Sequence, residues 1–246
     1  TISWNSRLRL TDQRTGAQAS LSDAVGHKVV TEEALLDNIQ IGGLELQHMA
    51  SYAFTSDRPE TNTRPILGNS VFAHTILTID YAKHELTIRP SATNSIPSGV
   101  RDRNHSLDFR WVSQDPRGRF GVPCVRGKVM SLPADITIDT GWSDDTVGLA
   151  RSYYYQLRPA LKAKHIKRHL FTTSFVLGNA TVITLSNVSW SLPGIAGTSP
   201  VVVVDQVSRG AQAVLGRSFL SHFRTTIDYP QQKIWFDPIQ ATRKHQ

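Results

Sequence analysis

The chain has 246 residues, 39% of them hydrophobic, with 16 glycines, 12 prolines and one cysteine. That is enough for one large domain or two modest ones with a proper core, and the composition excludes a disordered chain or a disulfide scaffold. A formal charge of +7 admits acidic partners, yet no nucleic-acid-binding motif is present and no apolar run approaches the length of a bilayer.

The lone Cys124 leaves no cysteine cluster for zinc and reads as a small apolar residue on a strand. Residue 1 is Thr in a polar stretch with no targeting signal in view. The compartment stays open, an exported or periplasmic setting being the one favoured.

Taken in chain order, residues 22–30 place a glycine between two strand-like segments. Residues 39–47, Ile-Gln-Ile-Gly-Gly-Leu-Glu-Leu-Gln, read as a hairpin turning on glycine. Residues 66–90 then give an apolar strand, a Gly turn, a short helix and a hairpin formed by residues 77–81 and 86–88. The polar stretch 91–106 has the composition of a linker. Beyond it, residues 134–142, Ala-Asp-Ile-Thr-Ile-Asp-Thr-Gly-Trp, run a β-branched strand into a tight turn. The glycine there is expected to supply a backbone conformation closed to other residues. The basic stretch 158–169, beside Tyr153, Tyr154 and Tyr155, reads as a solvated helix or loop face. A glycine hairpin like that at 39–47 follows at 175–183, and residues 214–238 close the chain before a polar tail.

The sequence repeats itself. Aligned without a gap, residues 66–90 and 214–238 share nine of twenty-five positions: Leu67/Leu215, Gly68/Gly216, Ser70/Ser218, His74/His222, Thr78/Thr226, Ile79/Ile227, Asp80/Asp228, Tyr81/Tyr229 and Pro90/Pro238. Repetition of a supersecondary unit at this level implies two related halves. The division expected is a first lobe at 1–90, a linker at 91–106 and a second lobe at 107–246. Strands dominate and helices are short. Asp80 and Asp228 are assigned to their hairpin turns. His165 and His169, at i and i+4, suit a basic surface better than a metal site, and no metal is expected.

The combination of Asp139-Thr140-Gly141 with a later apolar-apolar-Gly element, Val214-Leu215-Gly216, resembles the aspartic peptidase superfamily in its retropepsin-like branch. The resemblance covers the second lobe nearly end to end, and the first from about Ser22 through Ile66-Leu67-Gly68. It implies a mainly β fold of two pseudo-twofold-related β-barrel lobes and a pseudo-dimeric monomer. The implied activity is an endopeptidase acting on a peptide or protein, without cofactor, nucleic acid or membrane segment. Asp139 would be one of two catalytic carboxylates that share a proton, one activating water while the other donates to the carbonyl oxygen. Thr140 would brace the opposite loop, Gly141 would admit close approach to the carboxylate, and the strands carrying Leu67-Gly68 and Leu215-Gly216 would pack on the two loops. A flap hairpin is expected near residues 22–30 in the first lobe and within 161–173 in the second. Trp142 departs from the Ala or Ser usual after the triplet and puts the family's pH behaviour in doubt.

The first lobe shows no matching triplet: Arg14-Thr15-Gly16 has arginine in place of the acid, and no apolar strand precedes it. Spacing from Gly68 places the missing acid upstream of Thr1. The glycine-hairpin match places it at Ser3 instead. The upstream position is favoured, since the strands expected before a first triplet are missing too. The rival reading is a catalytically dead peptide-binding module of the same fold.

Overall fold

The computed structural model describes residues 13–36, 39–41, 44–46, 49–54, 68–91, 100, 106–113, 121–142, 146–175, 178–208 and 210–239. Residues 1–4, with Ser3 among them, and the apolar pair Ile66-Leu67 lie outside them.

The first described strands are β1 (Gln13–Ser22), β2 (Lys28–Leu36), β3 (Ile39–Ile41), β4 (Leu44–Leu46) and β5 (Met49–Phe54). β1, β2 and β5 form an antiparallel meander. Leu36 pairs with Met49, Ile39 with Leu46 and Ile41 with Leu44, so β2–β3 and β4–β5 are the arms of one long hairpin. Residues 22–30 do turn on a glycine: Asp23 Oδ1 accepts the N–H groups of Val25 and His27, and Gly26 has φ +87°.

The two copies of the repeat form hairpins of identical register. β6 (Thr75–Asp80) pairs with β7 (Glu85–Pro90), and β17 (Phe223–Asp228) pairs with β18 (Lys233–Pro238). Asp80 Oδ1 accepts Lys83 N–H at 3.1 Å, and at the equivalent place Asp228 Oδ1 accepts Gln231 N–H at 3.1 Å. Each turn then passes through the left-handed region, at His84 (φ 55°) and Gln232 (φ 53°). The two aspartates therefore fix hairpin turns, as read from the sequence.

The hairpins also pair with each other. β6 runs antiparallel to β17 with Thr78 opposite Thr226. These two residues are equivalents in the repeat, so a local twofold axis passes between them, and their hydroxyls meet at 3.2 Å. β8 (Ser106–Asp108) completes a five-stranded sheet in the order β7-β6-β17-β18-β8. Rings from both halves pack beneath it: Tyr229 stacks on Trp111 with centroids 5.4 Å apart and on Phe72 at 6.1 Å.

The second half closes on itself. Its strands are β9 (Arg110–Ser113), β10 (Gly121–Val129), β11 (Leu132–Ile138), β12 (Val147–Ala150), β13 (Arg168–Phe175), β14 (Gly178–Leu192), β15 (Ile195–Val204) and β16 (Ala213–Leu215). They lie in the order β13-β14-β15-β12-β16-β11-β10-β9, and a further pairing of β10 with β14 turns the ring from β14 to β10 into a barrel. Val129, Leu149, Val188 and Val201 are completely buried inside the core. Cys124 sits buried on β10, where loss of solvent pushes its thiol up to about 11. The mainly β architecture with twofold-related hairpins agrees with the sequence.

Helices are less uniformly short than expected. α2 (Arg217–Leu220) is a single turn, but α1 (Arg151–Ala163) runs 13 residues. Its buried Tyr153, Tyr154, Leu157 and Leu161 mark one face at helical spacing. Both hairpins that were read as turning on glycine are present, β3–β4 and β13–β14. Residues 161–173 comprise the end of α1 and most of β13, so the bend of that hairpin, between Phe175 and Gly178, comes later than the expected stretch. His165 lies past the helix with φ 52° and His169 is on β13, so their spacing is not helical.

Candidate active site

Asp139 follows β11 directly. β11 and β12, on either side of its loop, do not pair with each other; β16 lies between them, parallel to β11 and antiparallel to β12. A ladder on both sides makes β16 a rigid support, and Leu215 at its end is 1% exposed. The Leu215 carbonyl accepts the Asp139 N–H at 3.0 Å, so the start of the loop hangs from β16. Two residues earlier on each strand, Thr137, wholly buried, donates its hydroxyl to the Ala213 carbonyl at 3.2 Å.

The loop folds back on its own carboxylate. Gly141 N–H donates to Asp139 Oδ1 at 2.8 Å, and Trp142 N–H donates to the Asp139 carbonyl at 3.2 Å. Gly141 does not adopt the left-handed conformation expected of it, since the positive-φ glycines described are Gly26, Gly194 and Gly210. Its role is closeness: a Cβ there would lie 3.2 Å from Asp139 Oδ1 and crowd the oxygen the amide serves. Thr140 is exposed, and no hydrogen bond holds its hydroxyl among the described residues.

Trp142 is the second anchor. Its indole N–H donates to the Thr146 carbonyl at 2.9 Å, not to the carboxylate. Its carbonyl accepts the Arg217 N–H at 2.9 Å, tying the loop to the start of α2. The ring packs with Ala24 and Val25, from the β1–β2 turn, against Val182, Val202 and Val204. Gln206 N–H donates to the Ala24 carbonyl at 3.2 Å, so a first-half hairpin touches the barrel beside the candidate loop.

Burial raises the Asp139 carboxyl above the ordinary range, and the Gly141 N–H opposes that shift by favouring the charged form. Tyr81 shares this neighbourhood. Its phenol is raised by burial, lowered by the Arg217 guanidinium and raised by the Asp139 carboxylate. Tyr81 and Arg217 were not singled out from the sequence, although the Tyr81/Tyr229 identity carried a signal. In the other half Tyr229 donates its hydroxyl to Asn69 Oδ1 at 3.1 Å, and Asn69 is the repeat equivalent of Arg217.

The structure thus brings Asp139, Thr140, Gly141, Leu215 and Gly216 together around one loop. Gly68 precedes a 3-10 turn at Asn69–Phe72, and Leu67 is outside the described residues. Among the described residues no group of three or more His, Cys, Asp or Glu side chains could hold a metal.

A mainly β chain with twofold-related hairpins and an acidic loop supported by a central strand is the class of protein that fold and site define. Among solved structures, the EIAV protease complexed with the inhibitor HBY-793 is similar to this chain at 22% identity, over 40% of this chain and 85% of that one, with a TM-score of 0.32. No protein-family profile matches the chain, and no curated protein does.

Proposed function

We propose that this protein is an aspartic endopeptidase in which Asp139 is one of two carboxylates activating water against a peptide bond. The observation that carries the reading is the Asp139 loop, whose carboxyl is displaced upward by burial while one oxygen is held by the Gly141 N–H at 2.8 Å. A carboxyl that keeps its proton above the usual range is what a proton-sharing pair requires. Leu215 and Gly216 support the loop; Thr140 braces a partner loop from the first half, where Leu67 and Gly68 play the matching part. Lobes at 1–90 and 107–246, joined by 91–106, and a pseudo-dimeric monomer belong to the same proposal, as does catalysis without metal or cofactor.

The chemistry follows from the coupling of two carboxyls. Two like charges in contact cannot both ionise, so one proton is held between them. The ionised partner takes a proton from water as it attacks the carbonyl carbon, and the protonated partner donates to the carbonyl oxygen. A lone Asp139 can supply only one of these roles.

The test is Asp139→Asn in the complete protein, assayed on a mixed peptide library. Hydrolysis should vanish while the fold remains. Turnover retained by the folded variant would remove Asp139 from the mechanism. If the unmodified protein cleaves nothing but retains peptides at equilibrium, the binding-module reading takes its place.

A further inference from the structure

From Thr146 to Val204 the sequence contains no aspartate or glutamate, but six lysines and arginines: Arg151, Arg158, Lys162, Lys164, Lys167 and Arg168. Arg151 is paired with Asp205 at 2.9 Å. Arg158, Lys162 and Arg168 are different: among the described residues no carboxylate pairs with them. All three line one cleft of about 410 Å3 between α1 and β13, whose apolar wall includes Leu161, Ile166 and Leu185. Three cations around one cleft repel each other until an anion enters.

The two elements that flank this cleft, α1 and β13, also expose large apolar side chains. Tyr155 is 55% exposed and Leu170 is 67% exposed. Tyr155, Arg158 and Lys162 succeed each other at i, i+3 and i+7, along one stripe of α1. Arg168 and Leu170, two apart on β13, lie on the same side of that strand. β13 is the outermost strand of its sheet among the described residues, so no further described strand pairs with its outer edge.

We propose that the α1–β13 face docks on an anionic phospholipid surface, with a headgroup phosphate among Arg158, Lys162 and Arg168 and with Tyr155 and Leu170 entering the interface. Charge complementarity argues for an anion, and the combination of basic residues with protruding apolar ones suits a lipid surface. A nucleic acid would use the cations but has no use for an exposed Leu170 or for the Leu161–Ile166–Leu185 wall. Among the described residues no helix is long and apolar enough to cross a membrane. The docking is independent of the chemistry proposed at Asp139.

The experiment is co-sedimentation of the full chain with vesicles of phosphatidylcholine alone or doped with phosphatidylserine. Binding is expected to the doped vesicles only, weakening as salt is raised. The triple variant Arg158→Gln, Lys162→Gln, Arg168→Gln should lose roughly a hundredfold in partitioning, at one surface cation's worth per residue. Leu170→Ser should weaken binding while leaving its salt dependence in place. All four side chains are exposed, so thermal midpoints should match the unmodified protein. Should the triple variant fail to fold, the salt titration of the unmodified chain and the Leu170→Ser variant still decide the matter. Equal binding to neutral vesicles, full binding by the triple variant, or no effect of Leu170→Ser would overturn the proposal. Tighter capture of an RNA or acidic peptide that Leu170→Ser leaves unchanged would overturn it as well, in favour of a plain anion site.

Discussion

Replacing Gly216 with alanine tests the support of the candidate loop by steric means alone. Gly216 has φ −123°, a value not confined to glycine, so the penalty of the left-handed region does not arise. What the substitution introduces is a methyl group pressed against the Trp142 carbonyl oxygen, 2.5 Å from Trp142 Cβ and 2.8 Å from Cδ1. The first two atoms belong to the backbone or adjoin it, so rotating the indole gives no relief. Either β16 or the Asp139–Trp142 loop must move. Overpacking of this kind costs about 1–3 kcal/mol, and the rigid neighbours on both sides of β16 argue for the upper half. For a chain of this length that is roughly 4–12 °C in thermal midpoint. Any peptidase activity should fall further than stability, since the loop carrying Asp139 is one of the two parts that can shift. The discriminating control is the double variant Gly216→Ala/Trp142→Ala. Alanine keeps the carbonyl oxygen and the Cβ, so truncating the indole should not restore the midpoint. A Gly216→Ala midpoint equal to that of the unmodified protein, or rescue by Trp142→Ala, would refute the close approach of these two backbones.

Leu215→Ala should cost about 2–5 kcal/mol in urea unfolding, because a completely enclosed leucine between two ladders leaves a cavity that cannot collapse. Asp139→Asn should raise stability at neutral pH. The folded carboxyl binds its proton more tightly than the unfolded one, so the unmodified protein loses stability as pH rises from the ordinary carboxylate value through the raised one. The gap between variant and parent, measured across a series of pH values, should be absent in strong acid and open upward; a gap that opened toward acid would contradict the burial of Asp139. His84→Gly and Gln232→Gly should each stabilise by about 0.5–1 kcal/mol, since both residues occupy the left-handed region where glycine carries no penalty. Gains of unlike sign at these two sites would break the equivalence of the turns.

The hairpins were legible because their signals are local. Asp80 and Asp228, a polar turn and flanking β-branched residues specify a hairpin wherever they occur, and the same string repeated gave the same register twice. The support of Asp139 was legible for a different reason: the resemblance to aspartic peptidases implied that Leu215-Gly216 would pack on its loop, and β16 lies between β11 and β12. Gly141 shows the limit of such reading. Glycine after a strand suggests positive φ, which Gly141 does not adopt; its closeness to the carboxylate oxygen, which the resemblance implied, depends on where the chain returns. Arg217 and Tyr81 escaped notice because their meeting is tertiary, brought about by α2 and the β6–β7 turn from opposite halves of the sequence. The 13-residue helix was written in the spacing of Tyr153, Leu157 and Leu161, but the neighbouring lysines and arginines drew the reading toward surface charge.

The pairing of Thr78 with Thr226 carries the symmetry argument further than the repeat alone could. Two similar strings in one chain need only fold alike; they need not meet. Here they meet on equivalent residues, with hydroxyls 3.2 Å apart, so the relation between the copies is a rotation about a point that can be named. An axis of this kind relates everything rigidly attached to the two hairpins. Tyr229 with Asn69 and Tyr81 with Arg217 are already such a pair: each tyrosine comes from one copy, and its polar neighbour from the turn that opens the other. The departure from symmetry is chemical. Asn69 accepts a hydrogen bond from its tyrosine, whereas Arg217 brings a positive charge to the half that contains Asp139. The charge lies on one side of the axis only, where it acts on the Tyr81 phenol, the same phenol that feels the Asp139 carboxylate.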